Sequence, residues 1–230
     1  MTSKLRAFSN RKIARIAGGV YLGIIVGGLA GSMLIRGELV DLQNAQYTLT
    51  QLVQQEVLYR WGFFSDLVMV ICDLVIAFLF YALFRKVHHG IAALATLFRL
   101  LQTGVLASNL VHLYQPLLLV QQPDVVPERV IFHLQVFEMG YLISGVFFAF
   151  NCLLMGYLVW KSSGFPKVLG ILLALAGIGY GFNSLSHFVF PSAIEASSQF
   201  MFFTAIVGEL GFCLYLLVVG SYGKSIAISE

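Results

Sequence analysis

Charged side chains lie inside long apolar stretches of this sequence, where they could bind an ion or a small polar solute. Asp66 and Asp73 are seven residues apart in one apolar run, so in a helix both project from the same face. Arg99 and Glu209 lie in two other apolar runs. A charged group inside a membrane costs about 3 kcal/mol unless it faces a partner or water. We therefore predict a buried polar core that consists of Asp66, Asp73, Arg99, Gln102, Asn109, Glu138, Asn183 and Glu209.

Two interpretations of this polar core stay open. In the structural interpretation, Arg99 pairs with Asp73 or Glu209, and the buried pair holds the helices in register. In the functional interpretation the excess of acids matters, because the apolar runs hold four acids and one arginine. At least one acid then has to be protonated, or has to be served by water or a cation. Carboxyl groups in that state are typical of proton or cation coupling in membranes.

Three histidines offer an alternative chemistry. His112, His133 and His187 lie in three different apolar runs and at a similar predicted depth. Together with Asp66 they could bind zinc with one open position, and His112 and His187 could ligate a haem iron axially. A lone histidine near a membrane boundary is more often a hydrogen-bonded structural residue. The sequence identifies no cofactor, and a zinc or haem enzyme, with Asp66 or Glu138 as base or ligand, stays an alternative.

The composition is that of a protein that crosses a membrane several times. The 230 residues are 59% hydrophobic and 11% charged, and the mean hydropathy is +0.86. Soluble domains carry about 25% charged residues. The net charge of +3 does not indicate a nucleic-acid partner, and the three cysteines show no metal-binding spacing. Nucleotide-binding, hydrolase and zinc-protease motifs are also missing from the sequence.

The apolar runs predict an all-α fold, a six-helix transmembrane bundle that forms a single membrane domain over residues 1–230. Between spans 1 and 2, Leu42, Leu49, Leu52, Val53 and Val57 fall at helical spacing among polar residues. This pattern favours an amphipathic helix at the membrane surface. The six spans are predicted at about 16–35, 61–84, 91–120, 130–160, 168–190 and 198–220.

Lys and Arg in the connecting segments predict the orientation, because they accumulate on the cytoplasmic side of a membrane. With the amino terminus inside, ten basic residues lie inside and three outside. We therefore predict a multi-pass protein of the cell membrane with both termini in the cytoplasm. The inner set is Lys4, Arg6, Arg11, Lys12, Arg15, Arg85, Lys86, Lys161, Lys167 and Lys224, and the outer set is Arg36, Arg60 and Arg129.

Glycines recur every four residues along the first span, at Gly19, Gly23, Gly27 and Gly31. A ladder of small residues lets another helix approach closely in a membrane. We expect this ladder to be a packing surface, and a homo-oligomer through it is one predicted partnership. The other predicted partners are the lipid bilayer and a small solute, ion or lipid ligand.

Several segments resemble a bacterial family known as domain of unknown function 4386. The resemblance rests on RIAGGVYLGIIV, RWGFFSDLVMVICDLVIAFLFYALF, LFRLLQTGVLASNLV, GYLVWKSSGFPKVLGILLALAGIGY and GELGFCLYLLVVG, from about Arg11 to Gly220. It implies a multi-pass membrane protein and brings no activity. The family pattern includes the acids of the second span, which match Asp66 and Asp73 here. It also includes an FR pair, which matches at Arg99, and a GE pair, which matches at Glu209. The histidines are not part of the family pattern.

Three functions are compatible with these patterns. The first is binding or transport of a small solute or ion through the polar core, with Asp66, Asp73, Arg99 and Glu209 as its main residues. The second is the membrane-embedded metal enzyme, and the third is a non-catalytic scaffold or sensor subunit. Whether the chain is an enzyme is left open by the sequence.

Overall fold

The computed structural model describes the backbone of residues 2–222 and the side chains of residues 10–218. Over these residues the chain is helical and contains no strand, which confirms the all-α prediction. Six helices are long and apolar enough to cross a membrane, as predicted, and several begin before the predicted start of the span. The spans are Asn10–Leu39, Glu56–Phe84, His89–Leu119, Pro127–Lys161, Lys167–Val189 and Pro191–Val218, called spans 1 to 6 below.

Spans 1 and 6 are the two spans that are not uniformly α-helical. Helix α1 (Thr2–Leu29) continues through a π-helical stretch, Ala30–Arg36, into the short helix α2, Gly37–Leu39. Span 6 begins with a 3₁₀ turn, Pro191–Ala193, followed by α8 (Ile194–Ala205). A second π-helical stretch, Ile206–Leu210, leads into α9 (Gly211–Tyr222). Wide turns of this kind occur often at functional sites.

The segment between spans 1 and 2 forms the predicted amphipathic helix, α3 (Ala45–Gln54). Asn44 caps it, because its side-chain oxygen accepts a hydrogen bond of 3.0 Å from the backbone N–H of Tyr47. The helix buries Thr48 and Leu52, whereas Val53 is exposed, and it packs against span 4. It marks one end of the bundle, called the α3 end below.

Spans 2 to 5 are single helices, α4 (Glu56–Phe84), α5 (His89–Leu119), α6 (Pro127–Lys161) and α7 (Lys167–Val189). Each span packs on the next one along the chain, and span 1 packs on α9 of span 6. The six spans therefore form a ring. Glycines permit the closest contacts, since Gly156 of span 4 and Gly170 of span 5 lie against each other's backbone.

The predicted glycine ladder is a packing surface within the chain for three of its four members. A methyl group placed on Gly23, Gly27 or Gly31 would meet span 2, at Cys72, Ser65 and Asp66 respectively. A methyl group on Gly19 would have no other described residue within 4 Å. The homo-oligomer through this ladder stays a prediction, and Gly19 is its open position.

Two apolar clusters fill the ring, one toward each end. The cluster at the α3 end includes Leu52, Leu113 and Leu134, and the other includes Phe84, Phe212 and further buried residues of spans 1 to 6. The polar core lies mainly between them. The side chains of Lys4, Arg6 and Lys224, part of the predicted inner set of basic residues, are outside the described part of the chain.

Candidate functional site

Asp73 and Arg99 form a buried ion pair between spans 2 and 3. Arg99 donates from Nη2 to Asp73 Oδ1, and Gln102 Nε2 donates to Asp73 Oδ2 over 3.2 Å. Both charged residues are at most 2% exposed. The guanidinium group also lies 4.7 Å from the ring centroid of Phe148, which is a cation–π contact. One of the two pairings that the sequence left open, Arg99 with Asp73, is therefore the pairing found here.

Glu209 lies in the π-helical stretch of span 6 and accepts two hydrogen bonds. Tyr180 of span 5 donates its hydroxyl to Oε1 over 2.6 Å, and Tyr21 of span 1 donates to Oε2 over 2.9 Å. A carboxylate can only accept hydrogen bonds, so two hydroxyl donors suit an ionised Glu209. The sequence analysis missed Tyr21, although a lone tyrosine hydroxyl in the middle of an apolar span is itself a signal that a polar partner is close.

These groups meet at one cavity of about 400 Å³ inside the ring. Asp73, Arg99, Gln102, Tyr180, Asn183 and Glu209 are among its lining residues, and half of the lining side chains are apolar. Two buried atoms at the polar end, Gln102 Oε1 and Arg99 Nε, have no hydrogen-bond partner in the described part of the chain. A buried polar atom without a partner is costly, so a hydrogen bond from a ligand to either of these residues would relieve that cost.

A second buried ion pair joins spans 1 and 2 nearer the α3 end. Arg36 donates to both carboxylate oxygens of Asp66 and lies 5.1 Å from the ring centroid of Phe137. Arg36 was predicted in the outer connecting segment, and that was wrong, because it is only 9% exposed and ends the π-helical stretch of span 1. Arg36 is therefore a second buried arginine besides Arg99, and it pairs with one of the four acids predicted for the polar core. Asp66 lies about 7 Å inside the predicted start of span 2, a depth that a long arginine side chain reaches.

Asn109 and Asn183, also predicted for the polar core, are both buried. Asn109 donates to the backbone carbonyl of Phe137 over 2.7 Å, which is a structural contact between spans 3 and 4. Asn183 accepts from Ser198 over 2.9 Å and lines the cavity.

Glu138 corrects the prediction of a uniformly buried core, because its side chain is exposed. The charges that act on it come from Arg36, Asp66 and His187 on three other spans. Glu138 is therefore an accessible side chain in the neighbourhood of the Arg36–Asp66 pair.

The three predicted metal-ligating histidines do not come together. His112 and His133 are neighbours, with 3.5 Å between their Nδ1 atoms. His187 turns back on its own helix, where its Nδ1 lies 2.9 Å from the carbonyl oxygen of Asn183. Among the residues that the structure describes, no group of three or more His, Cys, Asp or Glu side chains could hold a metal ion. The three histidines were predicted at a similar depth, but the side chain of His187 has different neighbours from those of His112 and His133.

Comparison with known proteins supports the resemblance found in the sequence. The family model described as "Domain of unknown function (DUF4386)" matches residues 16–220. The chain belongs to this family. The DUF4386 match runs from span 1 into span 6, so it includes both ion pairs and the cavity.

One similar protein gives no further activity. It is described as an uncharacterized protein of Archaeoglobus fulgidus and is 29% identical over 119 residues. The alignment covers 52% of this chain and 62% of that protein, which is less than two thirds of its length. No solved structure matches the chain.

Proposed function

We propose that this protein binds a small organic solute inside the membrane and moves it across. The observation that carries the proposal is the cavity of about 400 Å³ on which polar side chains from several spans converge. Cavities of roughly 300–1,000 Å³ with apolar walls and a few polar groups are typical of small-molecule sites.

The ionic groups of the cavity support a binding role rather than a purely structural one. Asp73 and Arg99 already satisfy each other, which alone would hold spans 2 and 3 in register. The Oε1 atom of Gln102 and the cavity that Gln102 lines serve no such purpose, since neither contributes to the Asp73–Arg99 pair. We propose Asp73, Arg99, Gln102 and Glu209 as the solute-binding residues. Asp66, which the sequence analysis placed with them, is engaged with Arg36 and is not part of the cavity wall.

The binding proposal is tested by identifying small molecules that stay with the purified protein. Ala205 lines the cavity, so Ala205→Phe fills part of it. Ala107 is exposed on span 3 and is not part of the cavity wall, so Ala107→Phe is the matched control. Mass spectrometry of extracts should detect a compound with the wild-type protein and with Ala107→Phe, and much less of it with Ala205→Phe. Equal amounts in all three samples, or no enriched compound, would contradict the proposal.

Transport is tested with the compound found in that experiment. Proteoliposomes that contain the wild-type protein should take it up, and Asp73→Asn should slow uptake at least tenfold, because an amide leaves the Arg99 charge uncompensated. Uptake that is unchanged by Asp73→Asn would argue that the protein binds the compound without carrying it through this site. The predicted orientation, with both termini in the cytoplasm, is kept as part of this proposal.

A further inference from the structure

The cavity opens sideways between spans 1 and 6. These two spans touch through α9, where Gly18 lies against Leu217 and Cys213 Sγ donates to the carbonyl oxygen of Gly18 over 3.4 Å. Further toward the α3 end, Leu29 of span 1 and Phe202 and Ile206 of span 6 line the cavity, yet they are 45%, 46% and 46% exposed. The substantial contact of span 1 with span 6 is at α9, so the two spans diverge toward the α3 end, and Leu29, Phe202 and Ile206 border the gap between them. A gap between two membrane spans at this level opens toward the hydrocarbon of the bilayer.

The polar end of the cavity carries an excess of negative charge. Asp73 and Glu209 are carboxylates, and Arg99 is the one cation among the described lining residues. Glu209 accepts hydrogen bonds from two tyrosine hydroxyls, one at each carboxyl oxygen. Arg99 is paired with Asp73, so an ionised Glu209 has no protein cation of its own among the described lining residues. Gln102 Oε1, which is buried and has no partner among the described residues, adds an acceptor for an N–H donor.

The size and the walls of the cavity select among cations. A bare metal ion requires a compact shell of oxygen ligands, whereas this cavity measures about 400 Å³ and apolar residues form half of its lining. A protonated amine on an apolar body fits the polar end and the apolar wall of the cavity. Its N–H groups would donate to Gln102 and Glu209, while its body contacts the apolar wall.

We infer that the cavity binds a lipophilic ammonium compound that enters from the bilayer between spans 1 and 6. This inference rests on the proposed function and adds the class of solute and the route of entry. The positive head lies against Gln102 and Glu209, and the apolar body points toward Leu29 and Phe202 at the opening.

Radiolabelled decylamine is a suitable probe, since it is cationic at neutral pH and partitions into membranes. Its binding is measured on the full-length protein in lipid nanodiscs, with empty nanodiscs subtracted. Saturable binding is expected, with displacement by unlabelled decylamine and not by decanoate or decanol, which share the chain length and lack the positive charge. Displacement by all three compounds would overturn the ammonium assignment while leaving the proposed binding function in place. Absence of saturable decylamine binding would overturn it as well, and the mass-spectrometric comparison with Ala205→Phe then judges the proposed function separately.

Two variants test the polar end. Glu209→Gln keeps an acceptor for the tyrosine hydroxyls but removes the negative charge, and Gln102→Leu removes the free acceptor. Each should raise the Kd for decylamine about tenfold or more, since a hydrogen bond to a charged group contributes that much. Thermal unfolding identifies a variant that fails to fold. A folded Glu209→Gln protein with unchanged Kd would refute the role of this charge.

The route of entry is tested by rates. Leu29→Trp narrows the opening, whereas Val26→Trp adds the same bulk at a residue of span 1 that is 57% exposed and does not line the cavity. Leu29→Trp should slow decylamine association severalfold and leave the Kd within about twofold of wild type, and Val26→Trp should change neither. Equal association rates for the two variants would overturn the lateral route.

Discussion

Removing one partner of the Arg36–Asp66 pair should destabilise the protein strongly, whereas removing both should not. Asp66 is 1% exposed, Arg36 is 9% exposed, and each is the ion-pair partner of the other. Asp66→Asn leaves the guanidinium group buried beside Phe137 without its counter-charge, and Arg36→Met leaves the carboxylate in the same situation. Loss of one partner of a buried pair costs about 3–5 kcal/mol.

This cost can be expressed as a change in Tm. For a chain of this length, 1 kcal/mol corresponds to roughly 2–4 °C, so each single variant should unfold about 6–20 °C below wild type. The double variant Arg36→Met/Asp66→Leu removes both charges and leaves an apolar contact between spans 1 and 2. Because replacement of a whole buried pair by apolar residues is often neutral, the double variant should unfold at a higher temperature than either single variant.

Thermal unfolding in detergent micelles, followed by tryptophan fluorescence, measures these differences. The pair Arg60–Glu56 is the matched control, because its 2.6 Å contact is on span 2 but its side chains are 41% and 36% exposed. Solvent screens exposed pairs at this helical spacing, so Arg60→Met should leave Tm close to that of the wild type. Additive losses in the Arg36→Met/Asp66→Leu variant, or single variants no worse than Arg60→Met, would refute the interpretation of Arg36–Asp66 as a coupled buried pair.

Two glycine comparisons test the packing of the ring by the same unfolding assay. Gly31→Ala should lower Tm, because its methyl group would lie 2.9 Å from an Asp66 carboxylate oxygen. Gly19→Ala meets no described residue within 4 Å and should raise Tm slightly through helix propensity. Equal shifts for the two variants would contradict the close approach of spans 1 and 2. Gly156→Ala should cost about 1–3 kcal/mol or more, since its methyl group would lie 2.6 Å from the backbone oxygen of Gly170. Gly181→Ala, with its nearest contact at an ordinary 3.5 Å, should be nearly neutral, and similar Tm values for these two variants would count against tight contact of spans 4 and 5.

The fold could be predicted from the sequence because the bilayer imposes long apolar runs, and composition alone separates such a chain from a soluble one. The Asp73–Arg99 pair could be predicted because few charges occur in the spans and each has few candidate partners. The α3 helix could be predicted because its apolar residues fall at helical spacing and are few enough to indicate a surface position.

The remaining parts of the site depend on quantities that a sequence does not contain. Depth follows from the rise per residue, but the rotation of each helix does not. His187 therefore came to lie apart from His112 and His133. Arg36 was assigned to a connecting segment by hydropathy, which treats an arginine as the end of a span and takes no account of the Asp66 carboxylate at the same depth.

The two π-helical stretches connect these observations to function. One ends at Arg36 and the other contains Glu209, and they occur in spans 1 and 6, the spans that flank the opening of the cavity. A π turn carries an i→i+5 hydrogen bond in place of the α-helical i→i+4 bond, so residues beyond it are rotated relative to a continuous α-helix. Both π-helical stretches therefore lie in the two spans that border the opening of the proposed site, and one of them carries Glu209 of its polar end.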